Sequence, residues 1–395
     1  MRICHLGKYY PPAPGGIEAH VRTLAAAQAA LGATVEVVCI NHRPGPSAVE
    51  ADGPVAVVRS RRVAAVAKLD VCPGLPATLA RVRADVLHLH VPNPTMILAL
   101  LACGRARRTP VVVTYHSDLI RQRLLGALFR PLERRAYRRV RAVLPTSPAY
   151  AAGSAFLASY AERLHVLPHG IDLEPYLRPS AADRAAAAAL RAAHRGPIWL
   201  GCGRLVPYKG LRTALAALAG VEGTLLIVGE GPDRPALEAE AARRGLGRRL
   251  AFVGAVPRVV PYYLAASALW FPSNARSEAF GLVQVEAMAS GCPVLNAAIP
   301  HSGVPWVSPH EQTGLTVPVD DPAALAAAAR RLIAEPGLRD RLAASARARA
   351  VAEFDHRVMA RRSLAIYDHV LAAAVPAVDG GRWTIDGVAA VDGGR

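Results

Sequence analysis

Short apolar runs alternate along this chain with longer stretches whose apolar residues recur three and four positions apart. The runs predict buried strands and the stretches predict amphipathic helices. Strands are expected at Arg2–Leu6, Val35–Ile40, Val55–Val58, Val86–His90, Val111–Tyr115, Ala142–Pro145 and His165–Leu167. Helices fit Ile17–Ala30, Leu75–Val82, Pro94–Ala102 and Ala149–Leu157. After a polar, alanine-rich stretch from Pro175 to Arg195, a second series begins. Its strands are Ile198–Cys202, Leu225–Val228, Ala251–Val253, Leu269–Pro272 and Val294–Ala297, again with helices between them. Such alternation implies an α/β architecture with parallel sheets.

The first series is expected to close near Pro168-His169-Gly170-Ile171-Asp172, giving one Rossmann-like unit over 1–172 and another over 173–352. From 353 to 374, Phe354, Val358, Met359, Leu364, Tyr367 and Val370 mark one last amphipathic helix. Residues 375–395 differ in kind. Val378-Asp-Gly-Gly-Arg382 returns as Val391-Asp-Gly-Gly-Arg395 with little to bury between, which reads as a flexible tail.

A chain of 395 residues can hold two domains with substantial cores. Its six cysteines form no Cys-x-x-Cys pair, so they are expected to be reduced core residues rather than zinc ligands. The start lacks a long apolar segment and no uncharged run approaches the ~20 residues that span a bilayer. A cytoplasmic protein, peripheral on the inner membrane at most, is the expectation. The net charge of +17 is uneven, with 22 Lys+Arg against 9 Asp+Glu in residues 1–170. Its densest part, Arg121 to Arg141, interleaves arginines with Leu124, Leu125, Leu128, Phe129, Leu132 and Tyr137. One reading is docking on anionic lipid headgroups, and the other is a solvated helix in an arginine-rich chain. Nucleic acid is not an expected partner, since aromatics are few and no such motif occurs.

The candidate chemistry centres on Glu278-Ala-Phe-Gly-Leu-Val-Gln-Val-Glu286, followed by Gly291-Cys-Pro293-Val. The strand Ala268–Pro272 places Glu278 in a loop at its carboxyl end, and Glu286 one to two turns into the next helix. The amides of Ala279 to Leu282 open that helix and suit a phosphate or a polarised hydroxyl. A carboxylate on each side suits a ligand rich in hydroxyls beside a phosphate, at the strand ends where open α/β sheets bind ligands.

This Glu-x7-Glu stretch with its Gly-x-Pro-Val ending resembles the retaining glycosyltransferases of the GT-B fold, family 4 (glycosyl transferases group 1), over about residues 1–372. The resemblance implies two Rossmann-like doubly wound domains facing a cleft, with a C-terminal helix crossing back to the first. It implies a nucleoside diphosphate sugar as donor substrate, with no cofactor and no metal. Gly15-Gly16, which precede a helix, would lie over the donor diphosphate, with Glu18 and His20 toward the acceptor. Arg204 and Lys209, on a loop after a strand, would neutralise the leaving diphosphate. His116 would face the donor sugar's hydroxymethyl. Gly231 and Val256 stand in the nucleotide-side turn and the base-reading loop, and Phe280, Gly281 and Leu282 beside the phosphates. Glu278 would orient sugar hydroxyls and Glu286 would grip the ribose diol. Gly303-Val-Pro305 and Thr313-Gly314-Leu315 fit late donor-side loops. His88, His90 and His169 are read as structural.

The pattern departs from the family at His169, Ala268 and Trp306, where relatives carry Asn, Asp and Glu, so fine specificity does not transfer. Asp320-Asp321 reads as a helix cap rather than a metal site. The expected reaction is hexose transfer with retention from a GDP- or UDP-sugar to a hydroxyl of a glycan or lipid-linked acceptor, in polysaccharide or lipopolysaccharide assembly. A GT-B-like nucleotide-sugar epimerase and a non-enzymatic basic binder of membranes or nucleic acid are the alternatives.

Overall fold

In the computed structural model, which describes residues 1–66, 69–104, 108–117 and 123–373, the first apolar runs lie side by side in one sheet. Its strands are β1 (Arg2–Leu6), β2 (Thr34–Ile40), β3 (Ala48–Asp52) and β4 (Val55–Ser60). After a small hairpin of β5 (Ala64–Val66) and β6 (Leu69–Val71) come β7 (Val86–Val91), β8 (Val111–Tyr115) and β9 (Val140–Pro145). The order is β3-β4-β2-β1-β7-β8-β9, parallel except for β3 at the edge. The second series forms β10 (Ile198–Cys202), β11 (Thr224–Val228), β12 (Leu250–Gly254), β13 (Ala268–Phe271), β14 (Val294–Ala297) and β15 (Gly314–Val317). They lie parallel in the order β12-β11-β10-β13-β14-β15. Both sheets reverse strand order next to β1 or β10, the doubly wound pattern that opens a ligand crevice at the strand ends. These are the two Rossmann-like, doubly wound α/β units the sequence predicts.

Interior strands such as β7, β8, β11 and β14 are buried throughout, as the unbroken apolar runs require. Exposed β3 and the hairpin were missed because they lack such runs. Three expectations are corrected. His165–Leu167 is not a strand: it follows a single bridge between Val143 and Leu164 and hangs on β9 by two amide bonds, His165 to Val143 and Leu167 to Pro145. Ala149–Leu157 is two short helices, Pro148–Ala152 and Ala155–Ala158, each capped by a serine, Ser147 and Ser154. Thr313-Gly314-Leu315 is not a donor-side loop, since Gly314 and Leu315 begin edge strand β15.

The last helical stretch is broken. Leu338–Phe354 ends in the core of the second sheet, while His356–Ala372 packs Met359, Tyr367 and Val370 into the core of the first. Asp355 between them is extended, and its carboxylate accepts from the Arg357 amide as the cap of the second helix. The chain crosses between the sheets a first time alongside: the Ile171 amide donates to the Phe354 carbonyl, and the His356 amide to the Ile171 carbonyl, both at 3.0 Å. Gly170 is required there, because a Cβ would lie 2.9 Å from Met359 Cβ and from the Asp355 carbonyl. The expected tail, 375–395, lies outside the described residues.

Candidate active site at the strand ends

Three loops meet at the carboxyl ends of β10, β11 and β12. Glycine permits backbone to lie on backbone there. A Cβ on Gly229 would stand 2.0 Å from the Gly203 carbonyl, and one on Gly231 2.2 Å from the Leu205 carbonyl. Hydrogen bonds lock the stack, Gly203 to Val228, Leu205 to Glu230 and Gly229 to Gly254. The turn holding Gly231, the loop holding Arg204 and the loop leading to Val256 are thereby one surface. Arg204 projects from it into solvent.

Lys209 ends a 3-10 turn, Pro207–Lys209, and Gly210 follows at φ 65° with its Cα against the Pro272 carbonyl. That contact brings the Lys209 loop onto the loop after β13, so that Lys209 Nζ reaches the Glu278 carboxylate at 2.5 Å. Both side chains are mostly enclosed, 14% and 11% exposed. The ammonium also lies 4.8 Å from the centre of the Phe271 ring. Arg204 and Lys209 line one recess with Phe271 and Pro272.

Gly281, at φ 80°, turns the chain into the helix Leu282–Ala289, with its Cα against the Phe271 ring. Phe280 points into the core, edge-on to His169 at 5.0 Å and to Phe354 at 5.6 Å, so its backbone rather than its ring faces the crevice. Leu282 packs on the same core. Glu286, half-buried one turn into the helix, accepts from the Tyr263 hydroxyl at 2.8 Å. Burial lifts its carboxyl above the ordinary range, while the Tyr263 and Tyr176 hydroxyls and the Lys209 charge act the other way. The two glutamates therefore sit in different surroundings: one ion-paired, one held by phenols.

On the first sheet, Gly15 and Gly16 open the helix Gly16–Ala30. The Glu18 carboxylate folds back over them, within 2.0 Å of where a Gly15 Cβ would be. Burial raises its titration, against its own amide and the Lys8 charge. His116 follows β8, but both of its ring nitrogens are engaged within the protein, Nε2 with His90 Nδ1 at 3.2 Å and Nδ1 with His169 Nε2 at 3.4 Å. His5, His20, His88, His90, His116 and His169 are all buried in one cluster. Burial pushes His5 and His169 down to about 4 and the others well below their usual value. The ring nitrogens of His20, His90 and His116 approach within 4.8 Å of one another, as do those of His5, His88 and His90. Only His88-x-His90 is visible as a local pattern. The other four come from β1, the first helix, the end of β8 and the crossing segment.

Two further elements escaped the sequence reading. Arg276 reaches across the crevice, donating to the Tyr150 carbonyl at 2.9 Å with its guanidinium 4.2 Å from the Tyr150 ring centre, and to the His301 carbonyl. Beneath the Glu278 loop, Gln284 donates to the Phe280 carbonyl at 2.9 Å and is itself held by Asn296 at 3.0 Å. The atypical residues have structural uses. Trp306 lies under the Arg349 guanidinium, Ala268 is enclosed in β13, and Asp321 caps Pro322–Ala334 through the Ala324 amide.

The basic segment forms a helix over Arg123–Tyr137, while Arg121 lies outside the described residues. From Phe129 onward, Phe129, Ala136 and Tyr137 face the core, and Arg130, Arg134, Arg135 and Arg138 are exposed. Among the described residues, no helix is long and apolar enough to cross a membrane.

Residues 184–349 match the family described as glycosyl transferases group 1, and residues 15–170 match a glycosyl transferase 4-like domain. The chain is 35% identical over 361 residues to the D-rhamnosyltransferase WbpZ of Pseudomonas aeruginosa, covering 88% of this chain and 91% of that one. It is 30% identical over 343 residues to the O-antigen chain mannosyltransferase C of Escherichia coli, covering 84% and 88%. Among solved structures, Anabaena Alr3699/HepE in complex with UDP-glucose superposes with a TM-score of 0.73 at 22% identity, covering 94% of this chain and all of that one.

Proposed function

Since the chain belongs to the group 1 glycosyltransferases and is an enzyme of glycosyl transfer, we propose that it moves a hexose from a GDP- or UDP-sugar to an acceptor hydroxyl. The acceptor in this reading is a lipid-linked glycan of polysaccharide or lipopolysaccharide assembly, and the reaction retains configuration without a metal ion. The O-antigen chain relative supports the acceptor class, the rhamnosyl and mannosyl relatives support transfer of a hexose-type sugar, and the UDP-glucose complex of HepE supports a nucleotide sugar.

The observation that carries the reading is the Lys209–Glu278 ion pair beside Arg204 and ahead of the helix that opens at Leu282. A diphosphate arriving there competes for the ammonium. As Lys209 turns to phosphate, Glu278 is released to accept from sugar hydroxyls, so one pair is exchanged for two ligand contacts. When the glycosidic bond breaks, its electrons pass to the β-phosphate oxygen, where Lys209, Arg204 and the amides of Phe280 to Leu282 stabilise the charge. The acceptor oxygen bonds to the anomeric carbon on the same face and its proton goes to the departing phosphate. Glu286 holds the ribose diol, Gly231 and Val256 flank the nucleotide, and Gly15-Gly16 cover the diphosphate from the first sheet. His116 contributes shape and backbone, its ring nitrogens being taken.

The test is a panel of UDP-, GDP- and ADP-sugars scored by thermal shift and by nucleotide release with and without acceptor glycans. Stabilisation by at least one, with glycoside formed, is the expected result. Absence of any binding overturns the reading, and a changed free sugar nucleotide without glycoside would mark an epimerase instead.

A further inference from the structure

The six buried histidines are connected in one direction, and their protons can be counted. The Ser363 hydroxyl donates to the Ala360 carbonyl at 2.7 Å, so toward Gln28 it accepts, from Nε2 at 2.8 Å. The Gln28 amide nitrogen also donates to the Tyr367 hydroxyl at 3.1 Å. Its carbonyl oxygen therefore faces His5 Nε2 at 2.7 Å, and that nitrogen carries the proton. His5 Nδ1 is then an acceptor and takes Nε2–H of His90 at 3.0 Å. His90 Nδ1 takes Nε2–H of His116, and His116 Nδ1 takes Nε2–H of His169. His169 Nδ1 takes Nδ1–H of His20 at 2.9 Å. On a side branch Tyr367 donates to His88 Nδ1 at 2.5 Å, leaving His88 Nε2–H for Thr114 at 2.7 Å.

Every ring nitrogen of these six histidines is matched but one. His20 Nε2 is left as a bare lone pair, buried and without a hydrogen-bond partner. An unmatched buried acceptor is a standing cost that structures seldom keep without use. Proton counting also argues against a metal bound by Nε2 of both His20 and His116. Each would then carry its proton on Nδ1 and donate to His169, which as a neutral ring offers one acceptor.

We propose that this chain positions the His20 Nε2 lone pair as the acceptor for a hydroxyl of the ligand held where the two sheets meet. The inference rests on the transfer reading above and adds a ligand contact to it. The location fits, because His20 lies one turn after Gly16 on the same helix, and its partner His169 packs on Phe280 of the donor loop. The chemical class is a neutral hydroxyl, of sugar, acceptor or water, since an imidazole lone pair accepts one proton donor and repels phosphate. Gln28, two turns further along the helix that carries His20, and Ser363, on the helix His356–Ala372, act as positioning residues that set the polarity of the hydrogen-bond chain.

Nitrogen NMR of the histidine-labelled, full-length, ligand-free protein tests the chain directly. His20 is expected as the Nδ1–H tautomer and the other five as Nε2–H. A proton on His20 Nε2 overturns the proposal, as does Co²⁺ binding with a histidine charge-transfer spectrum. The functional arm uses His20→Asn, whose amide replaces Nδ1–H but offers nothing at Nε2, and His20→Gln, which reaches the Nε2 position. With the sugar nucleotide found in the panel and water as acceptor, His20→Asn is expected to lower kcat about tenfold with an unchanged donor KM, the size of one lost hydrogen bond. His20→Gln should recover most of it, and wild-type turnover in His20→Asn sinks the idea. Should His20→Asn not fold, Gln28→Leu is expected to mix the His20 tautomers and reduce kcat, and an unaltered spectrum refutes the positioning role. If no sugar nucleotide binds the wild type, the transfer reading falls, while the spectrum still decides the tautomer chain.

Discussion

Lys209 Nζ stands 2.5 Å from the Glu278 carboxylate, and neither side chain is more than 14% exposed. An enclosed pair of this kind contributes little net stability but cannot be halved cheaply. Lys209→Met is therefore expected to destabilise the protein by about 3 kcal/mol in denaturant unfolding, since the Glu278 charge stays behind. Lys209→Met combined with Glu278→Leu should recover most of that loss while leaving transfer at least about a hundredfold below wild type. A double variant no more stable than the single one would show that the pair is not the source of the cost.

Gly210 sets this contact from outside it. At φ 65°, with a Cβ position 1.9 Å from the Pro272 carbonyl, alanine must push the Lys209 loop away from the Glu278 loop. Gly210→Ala should cost about 1–3 kcal/mol and lower kcat more than it raises the KM for donor. Equal turnover in the variant would uncouple the loop from the chemistry.

Glu286 gives a pH signature. Its folded titration is raised above the ordinary carboxyl value of 4.5, burial being the main cause. A raised acid favours folding while protonated, so this contribution is complete below 4.5 and is lost as pH rises through the folded value. Glu286→Gln removes the ionisation, and its stability relative to wild type should therefore be higher at pH 8 than at pH 4. Urea titrations at both values check the sign. The same variant should weaken nucleotide-sugar binding about tenfold, as one charge-assisted hydrogen bond is lost.

The histidine chain predicts the opposite slope at acid pH. His5 and His169 titrate near 4 when folded, against 6.5 ordinarily, because burial opposes the charge. The unfolded chain then binds more protons, so stability falls as pH drops from 6.5 toward 4. A steep cooperative loss of ellipticity within that window, with net proton uptake, is expected. Unfolding that starts only below pH 4 would contradict it.

The sequence by itself determined the two sheets and the address of the donor-side residues. Short apolar runs bounded by turn residues became the buried strands, and Glu278, Glu286, Arg204 and Lys209 each lie on a loop or helix that follows one. Local signals also existed for the missed break at Asp355, a capping residue inside an apolar periodicity that ran on across it. The edge strands β3 and β15 carried no such signal, because an exposed or short edge needs no apolar run. Tertiary structure alone decided the pairings. That Lys209 meets Glu278, that Arg276 crosses to Tyr150, and that His5, His20, His90, His116 and His169, from five separate elements, share protons all depend on distances no local pattern encodes. Burial settled the chemistry of each: it encloses the ion pair, raises Glu286, and disfavours the charge on the six clustered histidines.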